Sequence, residues 1–385
     1  MKSLLVWFAL LGCLLSGAVH AQLTLLGAGG NKATASGNLP NLLSSYTHRP
    51  AGNVYGVDSW VGLPPGTTLT PWYSISKSGV SVSTSSGLVS CNSGSGTVTL
   101  SGIDFTLTAP SGHNGGYIAV SNSQTCPTLI LNNDKFGCSS LTGSNNFTVQ
   151  LQSTSNVALT IENSDFVGDN CQIGQSSAVY TSSSGSVTFL SNFVEDPQGG
   201  QMIDFVGGSG VSVAVDIERN LIYFRNGFVS NYPDSHMNFQ QFNGGAVTSD
   251  VWSNNTVAVL GYPFTNSGEG PQMYGNISPF TINSPQVENN VFVGFYDGHT
   301  TCGGPPPGPC PSISHGVHGP LGTAGTTCTG AAVNSGNYFS YKSSGPADGT
   351  QGFFNAYYPN SMNGGCWTSS GNISLIDGTA ITPGP

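Results

Sequence analysis

Residues 217–221 read Ile-Glu-Arg-Asn-Leu, residues 251–257 read Val-Trp-Ser-Asn-Asn-Thr-Val, and residues 287–292 read Val-Glu-Asn-Asn-Val-Phe. In each stretch an apolar run leads into Asn and then into further apolar residues. Similar copies precede and follow them, with the polar residue before each apolar pair at Asp104, Lys135, Asp165, Asn192, Asn220, Asn255, Asn290 and Asn337. The steps between these marks are 31, 30, 27, 28, 35, 35 and 47 residues. A structural unit of fixed size with insertions explains the steps and predicts a β-solenoid whose turns stack on one another.

The recurrent Asn has a physical role in such a fold. A solenoid corner needs a residue that tolerates the left-handed backbone region, and the side-chain amide of Asn can bond the equivalent Asn one turn on. A β-sandwich also has short strands, but its hairpin turns come about every 8 to 12 residues without a recurring Asn motif. We therefore predict an all-β fold, a right-handed parallel β-helix over residues 79–339. Residues 22–78 and 340–385 are predicted to be N- and C-terminal caps, because an open solenoid end exposes strand edges and core.

The composition agrees with this fold and excludes several classes of function. Charged residues make up 7% of the 385 residues, where an ordinary globular protein has roughly 25%. Long helices and coiled coils need more Lys, Glu and Ala than this chain offers. The formal charge of −10 disfavours nucleic acids and anionic membrane surfaces as partners. Neutral or weakly charged ligands remain.

The start of the chain predicts export. Residues 1–21 hold Lys2, an apolar run over 4–15 and small residues at 19 and 21, which is typical of a cleaved secretory signal peptide and too short for a membrane span. The short, singly charged start is typical of a bacterial signal. We expect a mature chain that begins near Gln22 and is secreted, in the extracellular space or the periplasm.

The cysteines agree with export, because removing Cys13 leaves eight: Cys91, Cys126, Cys138, Cys171, Cys302, Cys310, Cys328 and Cys366. Paired Cys-x-x-Cys spacing, which a metal site would require, is absent, so we predict four disulfides and no metal site. The pairing stays open. The Pro-rich loop from Cys302 to Cys310 favours a bridge there, and Cys328 with Cys366 would then clamp the end.

The repeat resembles that of the right-handed parallel β-helix proteins, the pectate lyase-like superfamily that includes pectate lyases, polygalacturonases and alginate epimerases. The resemblance covers about Gly79 to Phe339 and rests on the style of the repeat. The polygalacturonase combination of an Asp pair, Gly-His-Gly and Arg-x-Lys is missing, as is the Asp-Pro-His-Asp of the epimerases. The resemblance implies a protein that binds extended glycans along one face of the solenoid.

A candidate site follows from polar residues that alternate with apolar ones at 200–205, 235–240 and 271–274. Strand alternation predicts that one set faces the core: Ile203, Phe205, Met237, Phe239 and Met273. The other set would then form one outward polar stripe: Asp204, His236, Asn238, Gln240, Gln272 and Tyr274. The insertions that lengthen the turns to 35 residues begin where this stripe begins, which favours a groove.

The residue types of the stripe suit acid–base chemistry on a sugar. We predict that His236 acts as a general acid or base and that Asp204 orients it or transfers a proton, with Asp234 and Glu269 as flanking carboxylates. The segment from His236 also resembles a His-x-Asp-x-x-Gln segment of some secreted β-helix proteins, although Asn238 stands at the Asp position and removes a carboxylate.

Several further residues are predicted to bind substrate. They are Asn238, Gln240, Gln241, Gln272 and Tyr274, with Arg225 as a ligand for a uronate carboxylate. The alternative for Arg219 and Arg225 is a salt bridge to Asp216 or Glu218. The pairs Glu195 with Asp196 and Asp165 with Asp169 would suit glycoside hydrolysis or Ca²⁺ binding, or would simply cap loops. His315 and His318 lack a third metal ligand at diagnostic spacing.

Two functions are consistent with these residues. The first is a polysaccharide lyase or glycoside hydrolase, with a requirement for Ca²⁺ left open. The alternative is a non-catalytic glycan-binding or adhesion protein, in which Tyr232, Tyr262 and Tyr274 stack on sugars. The fold alone does not separate the two.

Overall fold

The computed structural model describes residues 37–137, 147–167, 177–195, 203–224, 238–259, 272–278, 281–293, 327–340 and 367–380. Trp72–Ser74 forms a single turn of 3₁₀-helix, and the other elements of these residues are strands. Within the same residues, no helix has the length and apolarity needed to cross a membrane.

The strands are short, and almost all follow the same order in each turn. They are β1 (Thr70–Pro71), β2 (Val80–Ser83), β3 (Leu88–Cys91), β4 (Thr97–Ser101), β5 (Ile103–Asp104), β6 (Tyr117–Val120), β7 (Thr128–Asn132), β8 (Lys135–Gly137), β9 (Phe147–Leu151), β10 (Val157–Glu162), β11 (Asp165–Val167), β12 (Ser177–Thr181), β13 (Gly185–Leu190), β14 (Phe193–Glu195), β15 (Ile203–Phe205), β16 (Ser212–Glu218), β17 (Leu221–Phe224), β18 (Asn238–Asn243), β19 (Ala246–Ser253), β20 (Thr256–Val259), β21 (Gln272–Ser278), β22 (Thr281–Asn283), β23 (Gln286–Glu288), β24 (Val291–Val293), β25 (Thr327–Thr329), β26 (Ala332–Ser335), β27 (Tyr338–Phe339), β28 (Trp367–Ser370) and β29 (Ile373–Ser374).

The strands stack into three sheets. In the described residues these are a ten-stranded sheet in the order β1-β5-β8-β11-β14-β17-β20-β24-β27-β29, an eleven-stranded sheet with the path β4-β7-β10-β13-β16-β19-β23-β26-β28 plus β22 and β25, and an eight-stranded sheet in the order β2-β3-β6-β9-β12-β15-β18-β21. Each strand pairs in parallel with its equivalent one turn on, except β2 and β3, which pair antiparallel. The predicted all-β parallel β-helix is confirmed.

The core fills the space that the three sheets enclose. Along β10, Val157, Leu159 and Ile161 are buried while the residues between them face outward, as strand alternation requires. Equivalent aromatic residues of successive turns stack, and the ring centroids of Phe136 and Phe166 lie 4.7 Å apart. Each turn thereby covers the apolar surface of the next.

A ladder of buried Asn residues marks the corner between the eleven-stranded and ten-stranded sheets. Its members are Asn192, Asn220, Asn255, Asn290, Asn337 and Asn372. The backbone N–H of each of the first five donates to Oδ1 of the next at 2.7 to 2.9 Å. The side-chain Nδ2 donates to that oxygen and to a backbone carbonyl. The predicted bonding of each Asn to its equivalent is confirmed, and it satisfies groups that would otherwise be buried without partners.

The left-handed backbone lies one residue earlier than predicted. The residue before each ladder position has φ between 50° and 70°, and this set is Gly102, Asn133, Asn163, Ser191, Arg219, Asn254, Asn289, Gly336 and Gly371. The prediction that the ladder Asn itself adopts the left-handed conformation is therefore wrong. Two consecutive residues thus form each corner. The first has the left-handed conformation that turns the chain, and the second makes the hydrogen bond to the neighbouring turn.

The first turns use other side chains for the same ladder. Asp134 Oδ1 accepts the backbone N–H of Ile103 at 2.7 Å, Ser164 Oγ accepts that of Asp134 at 3.0 Å, and Asn192 Oδ1 accepts that of Ser164 at 2.9 Å. The marks at Asp104, Lys135 and Asp165 therefore fall one residue late. The ladder also extends past Phe339, the predicted end of the solenoid, because the backbone N–H of Asn337 donates to Asn372 Oδ1. Asn372 follows β28, which pairs in parallel with β26, and precedes β29, which pairs in parallel with β27.

The segment 37–63, here called the strap, lies along the side of the solenoid. Its apolar side chains are Leu42, Leu43, Val54, Val57 and Val61. They pack on outward side chains of the ten-stranded sheet and on one residue beyond it, namely Phe193, Leu221, Tyr223, Ala258, Val291, Val293 and Leu375. Within the segment predicted as the N-terminal cap, 22–78, the strap covers one face across several turns, whereas β1 forms the first strand of the ten-stranded sheet.

Polar contacts fix the strap in register with the turns. The backbone N–H of Gly62 donates to the Ser191 carbonyl at 2.7 Å, and that of Leu63 donates to Asp165 Oδ1 at 2.7 Å. At Gly62, φ is +78° and an added Cβ would lie 2.3 Å from Asp165 Oδ1, so this position requires glycine. The strap thus contacts the sheet too closely for any other residue.

One disulfide joins neighbouring turns at the N-terminal end, between Cys91 and Cys126. This agrees with the predicted use of cysteine in bridges. The predicted pair Cys302 with Cys310 lies outside the described residues, as does Cys366.

Candidate functional site

The candidate site lies on the outer face of the eight-stranded sheet, at β15. Ile203 and Phe205 are fully buried in the core, so strand alternation places Asp204 between them on the outer face. Parallel pairing aligns one residue of each neighbouring strand with it, which gives the Asp204 column: Gln150, Tyr180, Asp204, Gln241 and Gly275. By sequence, the aligned positions are two Gln, one Tyr, one Asp and one Gly.

Asp204 is 5% exposed although it lies on the outer face. Asn243 Nδ2 donates to Asp204 Oδ1 at 3.3 Å. Burial raises the pKa of Asp204 to about 6, and the hydrogen bond from Asn243 only partly offsets that effect. A carboxyl group in this state can both donate and accept a proton near neutral pH, which is what acid–base catalysis requires.

The predicted outward stripe is wrong at Gln240. In the structure Gln240 pairs with Ile203, Gln241 pairs with Asp204 and Phe242 pairs with Phe205. Gln240 is fully buried, so its side chain lies on the core side and not among the groups that face outward. The prediction that Gln240 faces outward with Asp204 is therefore wrong.

The error has a clear cause in the sequence of β18. Phe239 and Phe242 are three residues apart, so a strand cannot turn both toward the core. The prediction placed Phe239 inside, whereas the structure places Phe242 there, where its ring meets that of Phe205 at 6.4 Å between centroids. Counting from Phe242 instead would have identified Asn243, the partner of Asp204, as an outward residue.

The other predicted residues of these strands are neighbours, but in a different register. Asn238 pairs with Gln272 and Gln240 pairs with Tyr274. The predicted proximity of the two segments is thus confirmed at the backbone. In the alternation of β18 and β21, these two pairs correspond to Ile203 and not to Asp204, which lies one residue further along its strand.

Four predicted site residues lie outside the described residues: Arg225, Asp234, His236 and Glu269. The same holds for Asp169, Asp196, Tyr232, Tyr262, His315 and His318. The sequence places the four site residues in two connections, 225–237 and 260–271, which lead directly into β18 and β21. These strands follow β15 in the eight-stranded sheet.

Two charged candidates take part in structural contacts. Arg219 Nη2 lies 3.9 Å from Glu218 Oε2, as the salt-bridge alternative predicts, and its guanidinium lies 5.8 Å from the ring centroid of Tyr55 in the strap. Asp165 accepts the backbone N–H of Leu63. These contacts give both side chains a structural role.

The described residues contain no group of three or more His, Cys, Asp or Glu placed to hold a metal ion. Comparison of the chain with protein families, with curated proteins and with solved structures found no match. The chemistry of the site therefore has to be argued from its own residues.

Proposed function

We propose that the protein is an exported carbohydrate-active enzyme that binds an extended glycan across the outer face of the eight-stranded sheet. Asp204 would transfer a proton at the bond that is cleaved. The observation that carries this proposal is a buried carboxyl group on an outer sheet face, at strand positions in register with Gln150 and Gln241.

A polymer of sugars suits the shape and charge of this face. Equivalent residues of stacked strands recur about every 4.8 Å along the solenoid, so the face is long and narrow. Amide side chains donate and accept hydrogen bonds, as sugar hydroxyls do. The scarcity of Lys and Arg, 8 in 385 residues, favours a neutral or weakly charged glycan.

The raised pKa of Asp204 defines two forms of the reaction. When protonated, Asp204 would donate its proton to the glycosidic oxygen as the bond breaks, which is hydrolysis assisted by a general acid. When ionised, it would abstract a proton next to a uronate carboxyl group, which is elimination by a lyase. His236 and Asp234, in the connection that enters β18, are the proposed second catalytic groups.

The test is product release by the mature chain, Asp204→Asn and His236→Ala. The substrates are neutral and uronic-acid polysaccharides, with and without Ca²⁺. Reducing ends report hydrolysis, and the absorbance of unsaturated uronate reports elimination. We expect release by the wild type and its loss in Asp204→Asn, in which Asn retains an oxygen that can accept the bond from Asn243. Asp165→Asn is the matched control, since Asp165 is a half-buried Asp whose pKa is also raised to about 6, and it should keep full activity.

One observation favours the non-catalytic alternative. Glycoside hydrolases usually use two carboxyl groups, and the Asp204 column contains one. Polysaccharide binding without release from any substrate, weakened by Gln150→Ala, would establish a binding protein and reject the enzyme. Release that survives Asp204→Asn would move the catalytic site elsewhere.

A further inference from the structure

The dipeptide Asn243-Gly244 lies at the end of β18, beside Asp204. In an Asn-Gly pair the backbone nitrogen of Gly can attack the side-chain amide of Asn, because Gly has no Cβ to hinder the approach. The chain contains four such pairs, at 114–115, 226–227, 243–244 and 363–364. The second and the fourth lie outside the described residues, so the first and the third can be compared.

The backbone leaves its regular strand course at Asn243. The pairing of β18 with β21 shifts register between Phe242 and Asn243, and φ is +77° at Gly244 and +75° at Gly245. Among the described residues, none accepts the backbone N–H of Gly244. The Gly244 nitrogen therefore lies outside the strand, next in the chain to the side chain that it would attack.

Asp204 contacts the group that leaves in this reaction. Asn243 Nδ2 lies 3.3 Å from Asp204 Oδ1. Burial raises the pKa of Asp204 to about 6, so its carboxyl group can donate and accept a proton near neutral pH. Asp204 is buried, whereas Asn243 is half-buried, so water has access to the Asn243 side of the contact.

The pair Asn114-Gly115 has the same sequence in different surroundings. The backbone N–H of Gly115 donates to the Leu107 carbonyl at 3.1 Å, which holds the nitrogen in place. Asn114 Oδ1 accepts the hydroxyl group of Thr108 at 2.8 Å. The described partner of this amide is thus a hydroxyl group and not a carboxyl group.

We infer that Asn243 is a site of self-modification, at which Gly244 and Asp204 convert the asparagine into an aspartyl residue. The Gly244 nitrogen forms a bond to Asn243 Cγ and loses its proton to water. The bond from Cγ to Nδ2 breaks as Asp204 donates a proton to Nδ2, so ammonia leaves and a cyclic imide remains. Water then adds to the imide and opens it to aspartate or isoaspartate, and Asp204 regains its proton from water. Water is the only co-reactant, and nothing is oxidised or reduced.

The product has a carboxyl group in place of the amide that contacts Asp204. Two carboxyl groups in contact titrate as a pair, because like charges disfavour the ionisation of both. Glycoside hydrolases usually use two carboxyl groups, and this modification supplies a second one. That consequence rests on the proposed function, whereas the modification itself does not.

The experiment follows both Asn-Gly pairs in one protein by peptide mass mapping. The mature wild type and Asp204→Asn are incubated folded at neutral pH, and a second wild-type sample is incubated unfolded in urea. Digestion with an acid protease limits further loss of amide groups. Replacement of an amide by a carboxyl group changes the mass of the peptide, so one digest gives the modified fractions at Asn114 and Asn243. Circular dichroism establishes that Asp204→Asn is folded.

We expect the folded wild type to be modified at Asn243 and not at Asn114, and the two positions to react similarly in urea. In folded Asp204→Asn, the rate at Asn243 should fall by about tenfold or more, since general acid–base catalysis contributes at least that much. Equal rates at the two positions of the folded wild type would overturn the inference, as would an unchanged rate in Asp204→Asn. Mass mapping requires no glycan, so this inference and the proposed function fail separately.

Two further variants test the consequence for catalysis. Asn243→Asp carries the product from the start, whereas Asn243→Gln keeps an amide but cannot close the same five-membered ring. We expect more product release from polysaccharide by Asn243→Asp than by Asn243→Gln. The reverse order would overturn the role of the second carboxyl group.

Discussion

Asp165 and Asp204 lie on the outer faces of two different sheets, and burial raises the pKa of each to about 6. The surroundings of the two carboxyl groups differ. Asp165 accepts the backbone N–H of Leu63 at 2.7 Å and holds the strap, and the positive charge of Lys135 moderates its pKa. Asp204 receives a longer bond, of 3.3 Å, from the side chain of Asn243. A raised pKa alone thus does not identify a catalytic group; the partner of the carboxyl group distinguishes a structural role from a proposed catalytic one.

The variant with the largest expected effect on stability separates the strap from Asp165. Gly62→Ala puts a Cβ where the Asp165 carboxylate and Phe193 now lie, at a positive φ. We expect it to lower the free energy of unfolding by about 3 kcal/mol or more. Urea unfolding monitored by tryptophan fluorescence measures this loss.

Gly66→Ala is the matched control for that variant. Gly66 has a similar φ of +82°, but no atom lies within 4 Å of its added Cβ. It should lose only the backbone contribution, about 1 kcal/mol. Equal losses in the two variants would mean that the strap does not pack against Asp165 as described.

The next test exchanges each Asp for Ala. Asp165→Ala leaves the N–H of Leu63 without its acceptor and should lower the free energy of unfolding by about 2 kcal/mol, with product release unchanged. Asp204→Ala removes only the acceptor of the longer, 3.3 Å bond from Asn243 Nδ2, so it should cost less stability and abolish release. The two variants are compared by urea unfolding and by the release assay. The opposite assignment of the two losses would reverse the roles that we give to these residues.

The smallest expected effect is a pH dependence that both carboxyl groups share. Burial also raises the pKa of Asp134 to about 7 and that of Asp216 to about 6, against 3.8 for an ordinary Asp. Between about pH 4 and pH 7 the folded protein therefore holds more protons than the unfolded chain, so stability from these groups is full below about pH 4 and falls as pH rises. Melting temperatures from pH 4 to pH 8 should decrease, less steeply in Asp204→Asn. A rise in melting temperature over this range would contradict the raised pKa values.

The parallel solenoid could be predicted because the ladder needs a similar side chain once per turn. Asn192, Asn220, Asn255 and Asn290 occupy equivalent positions, so their spacing measures the turn. In the first turns the acceptor is an Asp or a Ser. The predicted ladder positions there are one residue late, because the next residue in the sequence is also polar.

The strap and the inward and outward faces of β18 could not be predicted from the sequence, for two different reasons. The strap depends on contacts between residues as distant as Tyr55 and Thr256, whose Oγ1 donates to the Tyr55 carbonyl at 2.6 Å, and a repeat period contains no information on such contacts. In β18, Phe239 and Phe242 offer two incompatible alternations. Only the neighbouring ring of Phe205 decides between them.

The position of the strap imposes an order on the folding of the molecule. Leu42 and Val57 are synthesised before part of the surface that receives them, which includes Val291 and Leu375. Such distant contacts are slow to form, since the intervening chain must first be ordered. The strap can therefore complete its contacts only after the turns that carry Val291 and Leu375 have formed.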